Sequence, residues 1–283
     1  MNVVSFGEIL WDIEGAHQTP GGAPANVAFH ARQLGADAHM ISAVGDDPLG
    51  KALLDLLDQW QVDRSTVSVL PHRPTGTVRV TLDAGGSATY EIVQPVAWDE
   101  IPPPAKPVAA DAFVFGTLAQ RSPTSRETLS ALLDQLPRTT LRVYDVNLRP
   151  TATDAELVKA SAKRCDLLKL NDAEVPFVAD ALGLPHDQDG LISGLHKLGI
   201  RYVALTCGGS GSVVSDGRTI SKLPAAPTKI ADTVGAGDAF TAALVTQLLA
   251  GAAIGAAHAK ASTVAAYVCS QRGATPTLPA ELK

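Results

Sequence analysis

Apolar and polar positions along the chain follow two periods. Residues 2–10, NVVSFGEIL, hold a short apolar run that ends in Gly7-Glu8 and predicts a buried first strand. Residues 22–36, GAPANVAFHARQLGA, switch to helical spacing: Val27, Ala28, Ala31 and Leu34 share a face, and Gly35 is placed to end the helix. AHMISAVG (38–45) predicts a second strand and DPLGKALLDLLDQW (47–60) a second helix. A β-α-β-α order favours a parallel sheet with helices on both faces.

The rhythm breaks over 67–94. In GTVRVTLD (76–83), Val78, Val80 and Leu82 alternate with Thr77, Arg79 and Thr81. Gly85-Gly86 and SATYEIV (87–93) follow, so the pattern predicts a β-hairpin outside the parallel core. Such an element suits a lid over a site, a dimer surface or a plain surface hairpin. After PPPAKP (102–107) the α/β rhythm resumes. The candidate strands are 111–116, 141–147, 166–171, 202–208 and 211–216.

The stretch 239–257, AFTAALVTQLLAGAAIGAA, is long and mostly apolar. It is rich in Ala and Gly, carries Thr241, Thr246 and Gln247, and has Gly251 placed to divide it. A buried pair of helices is expected rather than a membrane span. The N-terminal MNVVSFGEILWDIEG has no basic segment ahead of its apolar residues and does not read as a signal peptide. A cytoplasmic location is expected.

Composition narrows the classes. The 283 residues are 46% apolar and 18% charged, ordinary for a globular chain with a sizeable core. Lys plus Arg number 23 against 29 Asp plus Glu, with no basic cluster, which argues against a nucleic-acid partner. Cys165, Cys207 and Cys269 lie far apart, so neither a zinc motif nor a disulfide scaffold is expected.

The strongest chemical signal is DTVGAGDAF (232–240), a glycine turn running at once into a helix. Gly235, Ala236 and Gly237 let backbone amides approach a ligand, and a helix N-terminus carries about half an elementary positive charge. This predicts an anion site. Asp238 falls in the first helical turn, where its use would be to accept the proton of a hydroxyl attacking a phosphorus atom. The alternative is a capping acid. GDDPLGKA (45–52) nearly fits a P-loop but is rejected. Ala52 replaces the metal-binding hydroxyl, Asp46 and Asp47 would enter the cradle, and Pro48 removes an amide donor.

Other polar groups cluster at strand ends. GGAPAN (21–26) places Gly21 and Gly22 before a helix and offers Asn26 to a cleft. Asp12 falls at the carboxyl edge where open α/β sheets bind ligands, or is a solvated loop acid. In YDVNLRP (144–150), alternation would turn Asp145, Asn147 and Arg149 to one side. There Arg149 could meet a phosphate or pair with Asp145. Asn171 and Glu174 could orient a hydrated magnesium or form a capping box. Thr206 and the glycines of LTCGGSGS (205–212) lie near the same edge.

Taken together, GGAPANVAFHARQLGADAHMISAVGDDPLG (21–50) and DTVGAGDAF resemble the two signatures of the PfkB (ribokinase-like) sugar kinases, over nearly the whole chain. GEILWD and GGAPAN resemble the bacterial fructokinase branch most. The resemblance implies a single three-layer ribokinase-like α/β domain over 1–283. Its mainly parallel central sheet would be flanked by helices, with a small β-sheet lid from segments at about 11–20 and 67–98. It implies ATP-dependent phosphorylation of a monosaccharide primary hydroxyl, fructose first. Ribose, another ketose or 2-keto-3-deoxygluconate are alternatives, and a non-catalytic sugar sensor is the alternative from another class.

The resemblance also implies roles. Asp238 would be the base, Gly235, Ala236 and Gly237 the anion hole, and Arg149 a neighbour of the transferred phosphate. Asp12, Gly21, Gly22 and Asn26 would hold sugar hydroxyls. Asn171, Thr206, Gly208, Gly209, Gly237 and His258 would attend the ATP. Glu174 would govern Mg2+ through water. The Asp232 and Gly273 region would bind a monovalent cation, with K+ the candidate, although Val234 stands where Thr or Ala is usual. A homodimer through the lid is implied, with no membrane partner.

Overall fold

A computed structural model describes residues 1–82, 88–149 and 152–283. Nine strands form the main sheet: β1 (Asn2–Phe6), β4 (Asp37–Gly45), β5 (Asp63–Leu70), β8 (Ala112–Gly116), β9 (Leu141–Asp145), β10 (Leu167–Asn171), β11 (Tyr202–Thr206), β12 (Ser212–Ser215) and β13 (Ile220–Leu223). Their order is β13-β12-β11-β10-β9-β8-β1-β4-β5. Every pairing from β11 to β5 is parallel, whereas β12 and β13 extend the edge antiparallel.

The two sheet faces follow period-two alternation. Val4 and Phe6 of β1, with Phe113 and Phe115 of β8, join one core with α3 (Pro123–Gln135), α4 (Ala155–Ala162), α5 (Val175–Leu182) and α6 (Gln188–Lys197). Val3, Ala112 and Val114 face the opposite way, into a core with α1 (Ala23–Gln33), α7 (Ala236–Leu249) and α8 (Ile254–Cys269). Met40 and Val44 of β4 pack on that side against α2 (Pro48–Gln59) and α1. Strands apolar on both faces cannot face water, so helices cover both and three layers result.

The expected helix pair is observed: α7 ends before Gly251 and α8 begins at Ile254. Among the described residues no helix is long and apolar enough to cross a membrane. Asp47 caps α2 by accepting from the Gly50 amide at 2.8 Å, and Lys51 is exposed, so 45–52 is an ordinary helix start.

Four further strands form a separate small sheet ordered β3-β2-β6-β7. They are β2 (Leu10–Glu14), β3 (His17–Gly21), β6 (Thr77–Leu82) and β7 (Ala88–Ile92). Strands β6 and β7 pair antiparallel, and β2 joins β6 in parallel. The Gly85-Gly86 turn lies outside the described residues. One boundary matches expectation and one differs. The first strand ends at Phe6, just ahead of Gly7-Glu8, where the chain leaves the main sheet to enter the small one at Leu10. Residues 63–70 run parallel to β4 at the edge of the main sheet, so the small sheet's hairpin begins at Thr77 and not near 67.

Candidate active site

A cleft of about 870 Å³ opens beyond the carboxyl ends of β1, β10 and β11, with the small sheet as one wall. Strand order reverses around β1, which is where open α/β sheets leave a crevice. The lining includes Asp12, Gly21, Gly22, Asn26, Arg149, Asn171, Thr206, Gly208, Gly209, Gly235, Ala236, Gly237 and Asp238.

The floor is the N-terminus of α7. Gly235 caps it at φ 77, a left-handed backbone that favours glycine. A Cβ there would lie 2.5 Å from the Ala274 Cα, so space forbids one as well. The first-turn amides of a helix have no partner within it, which points an electropositive tip into the cleft. Ala236 shares its amide with the Thr233 carbonyl at 3.3 Å.

Asp238 is 9% exposed and does not cap its own helix. Its Oδ2 accepts from Asn26 Nδ2 at 2.8 Å, tying α7 to α1. Burial, and then the charge of Asp145, push its carboxyl up to about 6, while the Asn26 bond, Lys169 and Arg149 hold it down. The group is therefore mostly ionised at neutral pH but close enough to it to exchange a proton.

Below the tip lies a buried ion pair that the sequence did not disclose. Lys169 Nζ donates to Asp145 Oδ1 at 3.0 Å, and Thr241 Oγ1 donates to Asp145 Oδ2 at 3.0 Å. Asp145 thus pairs with Lys169 and not with Arg149. The positive φ of Asn147, 39°, breaks the alternation that would have set Asp145 and Arg149 on one side. Lys169 is 5% exposed and lines the cleft. A Cβ on Gly237 would come within 2.9 Å of its Nζ, so the ammonium lies directly under the helix tip. Burial alone would lower its pKa; the charges of Asp145, Glu174 and Asp238 outweigh that and raise it. A lone Lys inside the apolar strand DLLKLN was the available signal.

On the small-sheet side of the cleft, Asp12 faces Gly21 closely: a Cβ on Gly21 would lie 2.5 Å from Asp12 Oδ2. Gly22, at φ 105, crosses the Glu8 carbonyl so tightly that any side chain would collide with it. Burial raises the Asp12 pKa, and Arg149 counters this. The Arg149 side chain is exposed at the cleft, and its Nη1 donates to its neighbour's carbonyl, Leu148 O, at 3.0 Å.

Glu174 does what its spacing allowed as the second possibility. Its Oε2 accepts from the Asn171 amide at 2.8 Å while Asn171 Oδ1 accepts from the Glu174 amide at 3.0 Å, a capping box. Oε1 accepts from the Leu148 amide at 2.8 Å. Asn171 faces the cleft and Glu174 is buried behind it. Asp232 and Gly273 meet: Asp232 Oδ2 accepts from the Gly273 amide, and Oδ1 from the Val234 amide, each at 3.0 Å.

His258 departs from expectation. It is fully buried outside the cleft lining, between Ser212 Oγ at 2.7 Å and Ser221 Oγ at 2.9 Å, and burial lowers its pKa to about 4. Ser262, one turn further along α8, lines the cleft instead. The segment 224–228, which forms the cleft wall beyond Gly211, was not expected either. Having neither period nor motif, it gave no signal in the sequence.

Residues 2–281 match the pfkB family carbohydrate kinase. The chain belongs to that family. It is therefore a sugar kinase, a phosphotransferase acting on an alcohol. The fructokinase of Klebsiella pneumoniae is 32% identical over 292 residues, 96% of this chain and 93% of that protein. The fructokinase of Salmonella typhimurium is 31% identical, covering 93% of this chain and 89% of its own length. Among solved structures, a double mutant of the Vibrio cholerae fructokinase bound to fructose, ADP and potassium superposes with a TM-score of 0.84. It is 25% identical, over 99% of this chain and 96% of its own.

Proposed function

We propose that this pfkB sugar kinase moves the γ-phosphoryl group of ATP to a primary hydroxyl of fructose. One observation carries the reading. Asp238, buried and bonded to Asn26, stands at an electropositive helix tip inside a cleft large enough for a nucleotide and a sugar together. Fructose is favoured over ribose or 2-keto-3-deoxygluconate because curated relatives at about 30% identity are fructokinases.

In the proposed step the sugar oxygen attacks the γ-phosphorus, the bond from that phosphorus to the ADP oxygen breaks, and Asp238 takes the hydroxyl proton. Asp12 and Asn26 hold other hydroxyls of the sugar. The amides of Gly235, Ala236 and Gly237, with Lys169 beneath them and Arg149 at the rim, hold the charge of the moving group. Thr206, Gly208 and Gly209 flank the remaining phosphates, and residues 224–228 with Ser262 border the base. The small sheet acts as a lid, excluding water that would otherwise accept the phosphoryl group. Its outer face pairs two copies of the chain.

Among the described residues no group of three or more His, Cys, Asp or Glu is arranged around one metal. Magnesium keeps several waters and takes few direct protein ligands, so Asn171 and Glu174 would hold it through its hydration. Magnesium would neutralise charge on the β- and γ-phosphates. Asp232 offers only oxygen near the Gly273 turn, a donor type that fits a hard monovalent cation such as K+.

The test is ADP release with magnesium, ATP and a panel of monosaccharides. Turnover of fructose above the others is expected. Saturable sugar binding without turnover of any sugar would refute the kinase assignment in favour of a sensor.

A further inference from the structure

Glu8 is a buried acid of the cleft lining to which neither the motifs nor the comparisons give a role. It follows β1, on the short crossing between the main and small sheets. It is 3% exposed, yet it lines the cleft beside Asp12, Gly22 and Asn26. Its Oε2 has no hydrogen-bond partner among the described residues, and Asn26 Oδ1 in the same wall has none either. A buried polar atom without a partner forfeits the bonds it had in water, so such atoms are scarce unless a ligand completes them.

Glu8 also shares its surroundings with the reacting groups. Burial above all raises its carboxyl to about 7, Asp238 adds repulsion, and Arg149 with the backbone amides of Glu8 and Ala23 pulls the other way. A carboxyl poised there presents both an O–H donor and an acceptor at neutral pH, the same pair of functions that a sugar hydroxyl has. An acid that served only to tether the start of α1 would need neither a free oxygen nor a place on the cleft wall.

We propose that Glu8 is a substrate-binding residue whose carboxyl group bonds a hydroxyl of the acceptor sugar other than the one phosphorylated, and so helps to set which sugars the cleft accepts. The proposal rests on the sugar-kinase reading above. Asp238 takes the reacting hydroxyl, and Asp12, Asn26 and Glu8 divide the others.

The experiment compares wild type, Glu8→Ala and Glu8→Gln. Steady-state kinetics are run on fructose, ribose and 2-keto-3-deoxygluconate, and on the monodeoxy analogues of whichever sugar is turned over best. KM for ATP and the melting temperature are followed alongside. The loss of one hydrogen bond is expected to raise the sugar KM of Glu8→Ala about tenfold while kcat and the ATP KM change little. Wild type should discriminate against one deoxy analogue, and that discrimination should vanish in Glu8→Ala and persist in Glu8→Gln, which keeps a donor and an acceptor. If Glu8→Ala does not fold, the carboxyl carbon resonance of Glu8, assigned by its loss in Glu8→Gln, is followed in wild type. It should shift on adding the sugar and not on adding that deoxy analogue. Undiminished discrimination in Glu8→Ala, or a resonance indifferent to sugar, overturns the proposal while leaving the kinase reading intact. Failure of wild type to phosphorylate any of the three sugars would defeat both.

Discussion

The acid limb of the pH profile should belong to Asp238. Its carboxyl lies at about 6 in the folded chain against an ordinary value of 3.8. As a proton acceptor it works only when ionised. About nine-tenths of the free enzyme is ionised at pH 7 and about one-tenth at pH 5, so kcat/KM for the sugar should fall about tenfold between them. The same raised affinity for a proton has a stability consequence. A carboxyl raised on folding contributes fully below pH 3.8 and loses that contribution as pH rises through about 6. Above pH 6 the buried charge costs about 3 kcal/mol, taking about 1.4 kcal/mol for each tenfold change in proton affinity. Asp238→Asn removes both effects. It should melt no lower than wild type at pH 7.5 while its kcat drops about a hundred- to ten-thousand-fold. The assay is coupled ADP release across pH 5–8, with melting temperatures beside it. Glu8→Gln serves as a control: its profile should keep the limb in place, because Glu8, raised to about 7, is still mostly protonated while Asp238 titrates at about 6. A flat profile from pH 5 to 7, or an Asn variant retaining more than about a tenth of kcat, would refute the proton-acceptor role.

Three further outcomes are expected. Lys169→Met leaves Asp145 buried without its cation and should cost about 3–5 kcal/mol in denaturant unfolding. Unchanged stability would show that the pair is dispensable. Gly235→Ala must strain a left-handed cap and displace Ala274, so it should lower the melting temperature, cost about 1–3 kcal/mol and reduce kcat through a misplaced helix tip. Glu174→Gln places an amide NH2 against one of two backbone donors, at Asn171 or Leu148. It should therefore lower the melting temperature as well as weaken activation in a magnesium titration, with about 1–3 kcal/mol lost. A fall in magnesium response at constant melting temperature would confine Glu174 to the metal.

The site's outline was legible in the chain because the proposed anion cradle is local. Gly235, Ala236, Gly237 and Asp238 are consecutive, and a glycine turn running into a helix fixes amides and carboxylate in one short stretch. The layered α/β class was legible for the same reason: hydrophobic period is a property of neighbouring residues. What sequence could not determine was anything set by distance across the fold. Residues 63–70 could not be assigned to the main sheet without β4 beside them. His258 faces two serines, not the cleft, because of how α8 is rotated against β12 and β13. Lys169 finds Asp145 on the adjacent strand, 24 residues away, and the free oxygen of Glu8 matters only because α1 and α7 bring Asn26 and Asp238 to the same wall. Propensity and motif act over a few residues, whereas burial, charge pairing and the pKa of each carboxyl are set by what the packed chain places around it.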